Sequence, residues 1–93
     1  MQIIKYEILW NRLTPLLSPG APDRVDLEDP ISEKVPGGKA GLLAFLSTLN
    51  ANHAFRTDGL SIVPSDISGA PTVRDLMTAI IDDYRREGWK VIF

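Results

Sequence analysis

The amino-acid sequence predicts a small all-α single domain over residues 1–93, a helical bundle with a long first loop. Three observations lead there. Val73, Leu76, Met77, Ile80, Ile81 and Tyr84 keep strict helical spacing behind a capping residue, and Leu42, Phe45, Leu46 and Leu49 repeat at i, i+3, i+4, i+7. Between Ser18 and Gly38 the chain holds four prolines and three glycines in twenty-one residues, too many for regular structure. An α+β arrangement with strands at the two termini is the alternative.

In chain order, Ile4, Ile8, Leu9 and Leu13, with Trp10 beside them, fit the apolar stripe of a first helix over Gln2 to Leu13. A strand over Gln2 to Ile8 competes, because the segment is rich in β-branched and aromatic residues and the chain closes on the strand-like "WKVIF". Pro15 is expected to end the helix near Arg12 to Thr14, since proline lacks the amide donor and biases its predecessor away from helical geometry. The loop that follows carries Val25, Leu27, Ile31 and Val35, enough apolar side chains to pin it across a helical core.

A second helix is predicted to begin around Gly38 to Ala40 and to fray at Asn50 to Asn52. "FRTDGLSIVPSDISGA" reads as a connection, with one short helical turn at Ser65 to Ser68, whose Phe55, Leu60, Ile62, Val63 and Ile67 dip into the core. Thr72 and Asp75 form an acidic variant of the capping box for the last helix, and Gly88 is its stop. Trp10, Trp89, Tyr84 and the terminal Val91, Ile92 and Phe93 either pack on the core or make of "WKVIF" a strand that pairs with a second copy or a partner.

Composition excludes several chemistries. A chain of 93 residues with 44% hydrophobic and 24% charged residues supports one core. It has no cysteine, which removes disulfides, thiolate catalysis and cysteine-based zinc sites. One histidine, His53, makes neither a His-rich metal site nor a base for a serine elbow, and no acidic run has EF-hand spacing. Adjacent carboxylates at Asp82 and Asp83 diverge by about 100° on a helix and do not share a substrate. We therefore expect no catalytic residues, no metal and no cofactor.

Ten basic against twelve acidic side chains give a net charge of −2, which argues against nucleic acid and anionic membranes as partners. No window approaches the roughly 18 apolar residues of a membrane span. "MQIIKYEILW" carries Lys5 and Glu7 and no cleavage site of small residues, so a cytoplasmic location is expected. Asp23, Asp26, Glu28, Asp29 and Glu33 crowd into eleven residues, a solvated loop or a surface for a basic protein.

The order of elements, together with "DPISEKVPGGKAGLLAFLSTL", "LSIVPSDI" and "APTVRDLMTAI", resembles the acyl and peptidyl carrier protein family over roughly Ile3 to Tyr84. That resemblance implies a four-helix bundle with a long first loop and a short third helix. In the family, a serine in an Asp-Ser-Leu motif at the head of the second helix accepts phosphopantetheine. Gly37, Gly38 and Lys39 stand at those positions here, so the attachment point is missing; Ser32 lies six residues too early and Ser47 sits in mid-helix.

Gly37, Gly38 and Lys39 read either as a tight turn after Pro36 or as an anion-attracting helix start, and lack the glycine and hydroxyl spacing of a Walker A loop. The function the resemblance implies is non-enzymatic docking to a larger protein, with Gly38, Lys39 and Leu42 and the acidic Asp26, Glu28 and Asp29 as contact residues. Two alternatives stand beside it: a small acidic inhibitor or immunity-type protein that occludes a target, and a genuine carrier with its serine elsewhere. Oligomeric state is not legible.

Overall fold

Residues 1–67 and 69–93 are described by a computed structural model. Strand β1 (Gln2–Lys5) leads directly into helix α1 (Tyr6–Leu17); a short helix α2 (Ile31–Lys34), the long α3 (Gly38–Ala51), the one-turn α4 (His53–Thr57) and the long α5 (Val73–Arg86) follow, and strand β2 (Trp89–Ile92) closes the chain. Single 3-10 turns occupy Pro22–Arg24 and Pro64–Asp66. The domain is mostly helical, but its termini form a two-stranded parallel sheet, as in the α+β alternative and against an all-α chain.

The sheet explains the first correction. Gln2 pairs with Trp89, Ile3 with Lys90, Ile4 with Val91 and Lys5 with Ile92, so the start of the chain gains a ladder that only the distant tail provides. Ile4 and Val91 are both buried beneath it. β2 therefore pairs within its own chain along one edge, and Trp89 stands edge-on to Tyr84 at 5.4 Å between ring centroids. Ile8, counted in the apolar stripe, is 42% exposed; the buried stripe of α1 is Leu9, Leu13 and Leu17.

The second correction concerns Pro15, which does not end α1. It sits in the last turn, where it removes the amide that would donate to the carbonyl of Asn11, an exposed residue. The helix closes two residues past Leu16, with the Ser18 amide donating to the Thr14 carbonyl at 2.9 Å.

The loop keeps its predicted anchors: Val25, Ile31 and Val35 are buried and Leu27 packs partly against the core. It also contains α2, a single helical turn. The sequence reading further missed α4, which is nucleated by Asn52: its Oδ1 accepts from the Ala54 and Phe55 amides at 3.1 and 3.3 Å. The turn expected at Ser65 to Ser68 is a 3-10 turn at Pro64–Asp66, with Asp66 accepting from the Val63 amide, and Ser68 lies outside the described residues.

α5 is as the sequence predicts. Thr72 Oγ1 accepts from the Asp75 amide and the Asp75 carboxylate accepts from the Thr72 amide, and Gly88 follows with a φ of 92° that favours glycine. Its inner face, Val73, Leu76, Met77, Ile80 and Tyr84, fills the centre of the domain against Leu9, Leu13, Leu49, Phe55 and Ile62. Among the described residues no helix is long and apolar enough to cross a membrane.

Candidate functional site

The first amides of a helix have no partner inside it, and α5 finds its partners in the long loop. Val73 donates to the Asp29 carbonyl at 2.9 Å and Arg74 to the Leu27 carbonyl at 2.8 Å, while the Ile31 amide donates to the Pro71 carbonyl at 2.9 Å. These three bonds fasten residues 27–31 across 71–74. Ile31 and Ser32 of α2 then share one groove with Gly38, Lys39 and Leu42 of α3 and with Pro64, Ile67, Gly69, Ala70 and Pro71.

The groove has a volume of about 570 Å³. Ile31 of α2 and Val35 just beyond it, Leu42 of α3, and Pro64, Ile67 and Pro71 supply its apolar walls. Ser32 is the one hydroxyl and Lys39 the one charged side chain among the described lining residues. Its volume lies within the range of small-molecule clefts, roughly 300–1,000 Å³.

The head of α3 is shaped by glycine. Gly37 and Gly38 have φ of 100° and 61°, the left-handed region where a side chain is strained. One turn on, a Cβ at Gly41 would lie 2.0 Å from the Pro36 carbonyl oxygen, so only glycine lets α3 pack down onto the turn that precedes it. The residue at the N-cap, Gly37, offers no side chain to the first amides of α3.

The six residues singled out by sequence separate into two groups. Gly38, Lys39 and Leu42 come together on the groove. Asp26, Glu28 and Asp29 are absent from its lining; Asp26 and Asp29 are engaged within the loop and Glu28 with α5. The Asp26 carboxylate accepts from the Glu28 amide at 2.9 Å, Asp29 Oδ2 accepts from the Asp26 amide at 2.8 Å and lies 3.6 Å from Lys34 Nζ, and Glu28 accepts from Arg74 Nε at 2.8 Å and from its Nη2. The hydrogen bond to Glu28 raises the Arg74 guanidinium pKa. What the sequence reading missed is the far wall, Pro64, Ile67 and Pro71; its only signal was the apolar content of "LSIVPSDI".

Polar side chains outside the groove lining hold the connection after α3. Asn50 pairs with Ile62 through both its amide groups, each at 2.8 Å, and buried Asp83 accepts from the Ser61 amide and from Arg86, both at 2.9 Å. Asp58 Oδ2 accepts from Arg12 at 2.6 Å and from the Tyr84 hydroxyl at 2.8 Å. Burial, then the hydrogen bond to Asp58, pushes the Tyr84 phenol well above its usual range. Comparison with family models, with curated proteins and with solved structures finds no match to this chain.

Proposed function

We propose that this is a non-enzymatic docking domain, a bundle resembling an acyl carrier protein without its phosphopantetheine serine, that meets a larger partner protein through the groove at the head of α3. The observation that carries the reading is that groove. Its walls are apolar side chains from three separate chain segments. No histidine lines it among the described residues, so its single hydroxyl, Ser32, has no imidazole base there.

The acidic-occluder alternative draws less support, because Glu28 and Asp29 already face Arg74 and Lys34. The carrier alternative keeps one observation in its favour, the place of Ser32 on the groove wall.

Two experiments test the reading. Incubation with coenzyme A and a broad-specificity phosphopantetheinyl transferase leaves the intact mass unchanged; a gain of one phosphopantetheine on Ser32 makes the protein a working carrier instead. A photo-crosslinking side chain at position 42 gives one discrete larger adduct in extract of the source cells, weakened by Lys39→Glu, whereas one at the exposed Arg56 of α4 gives none. Equal labelling from both positions rejects the groove as the docking face.

A further inference from the structure

We infer that the partner segment seated in this groove is acidic: it inserts apolar side chains between Leu42, Ile31 and Ile67 and sets a carboxylate against Lys39. This rests on the docking reading and adds the chemistry of the occupant. The charge distribution argues for it. Lys39 is the one charged residue among the described lining residues, is exposed, and takes part in none of the ion pairs found among the described residues. Arg12, Lys34, Arg74 and Arg86 each face a carboxylate of this same chain; among the described residues Lys5, Arg24, Arg56, Arg85 and Lys90 share with Lys39 the lack of such a pair, but of these only Lys39 lines the groove.

The fixed partial charge at the same edge has the same sign. α3 runs fourteen residues from Gly38, and Gly37 leaves its first amides without a side-chain acceptor. Lysine and helix end thus make one electropositive rim on an otherwise uncharged apolar cleft. A basic segment would bury its charge beside a like charge, and a purely apolar one would leave the lysine without a counterion as water is expelled. Of the acids that precede Lys39, Asp26 and Asp29 are engaged within the loop and Glu28 with Arg74 of α5, and neither these three nor the nearer, exposed Glu33 lines the groove.

The occupant's signature is therefore one or two apolar side chains within about a helical turn of an aspartate, a glutamate or a terminal carboxylate.

The charge rule is tested with fragments on the intact domain. Backbone amide signals are followed in nitrogen-15 NMR titrations with 4-methylpentanoate, its neutral amide and 4-methylpentylamine, which share one branched apolar tail. The carboxylate is expected to shift Gly38 to Leu42, Ile31 and Ile67, and to bind about three- to fivefold tighter than the ammonium, the size of an exposed ion pair. Lys39→Glu, at an exposed position, reverses that order while the thermal unfolding curve is retained.

Equal binding of all three fragments, preference for the ammonium by the unmodified protein, or no shift at the groove overturns the inference. So does sequencing of the peptide cross-linked to position 42, if only basic or neutral residues flank its apolar side chain. A discrete adduct with such a peptide leaves the docking reading standing and removes the acidic occupant; no adduct removes the docking reading itself.

Discussion

The Tyr84 hydroxyl donates to Asp58 Oδ2 at 2.8 Å across 26 residues, joining the end of α5 to the exit of α4. Arg12 of α1 reaches the same oxygen, donates to the hydroxyl at 3.1 Å and lies 5.9 Å from the Phe55 ring centre. Three elements are thereby tied at one carboxylate. Each polar group there has a partner, and none of the described buried side-chain polar atoms is left without one.

Tyr84→Phe removes one donor from Asp58 while Arg12 stays. We expect a loss of about 1–2 kcal/mol in urea unfolding. The pH dependence has a definite sign. The folded phenol titrates above the ordinary value of 10.0, because burial and Asp58 disfavour its anion. Its contribution is full below the unfolded value and is lost as pH rises toward the folded one. Unfolding midpoints of the unmodified protein should therefore fall more steeply than those of Tyr84→Phe between about pH 9 and pH 11. Parallel slopes would remove Tyr84 as the source.

Asn50 stands in for a strand neighbour of Ile62, accepting from its amide and donating to its carbonyl. Asn50→Ala leaves both backbone groups of a buried residue without those partners, at a cost of about 1–3 kcal/mol. Hydrogen exchange locates the effect: protection of the Ile62 amide is lost well before that of Ile80 in the centre of α5.

Gly41→Ala forces a methyl group to within 2.0 Å of the Pro36 carbonyl oxygen, a contact with backbone that no rotamer relieves. The expected cost is about 1–3 kcal/mol or more, read as a lower unfolding midpoint. Gly20→Ala, with nothing within 4 Å of the new Cβ, is the control and leaves the midpoint near that of the parent.

Gly38→Ser puts a serine where the carrier-family resemblance expects one. The position has a φ of 61° and open space around it, so the strain is one of backbone alone, about 1–2 kcal/mol. The left-handed turn does not present that hydroxyl from a regular first helical turn, and we expect the intact mass to stay unchanged after treatment with coenzyme A and transferase. A gain of one phosphopantetheine would show that the turn adapts and that only the hydroxyl was lacking.

Local signals were enough for α3 and α5. Thr72, Asp75, Gly88 and an uninterrupted apolar spacing contain their own start, face and stop, and none of them needs a distant partner to be read. The same holds for the buried anchors Val25, Ile31 and Val35 in the loop. Three of the six residues singled out by sequence fall on the groove for this reason: Gly38, Lys39 and Leu42 belong to the head of one helix.

What only the tertiary structure decided were the relations between distant segments. Gln2 to Lys5 carries both helical and strand preferences, and it became a strand because Trp89 to Ile92 lies beside it. Pro15 stays within α1 because the carbonyl it deprives, that of Asn11, belongs to an exposed residue, and exposure is a property of the folded surface. Likewise the far wall of the groove came from Pro64, Ile67 and Pro71 once the loop was fastened across the first turn of α5. Periodicity and capping are encoded within a few residues of one another, whereas strand pairing, solvent access and groove walls are set by segments tens of residues apart, which a local pattern does not bring together.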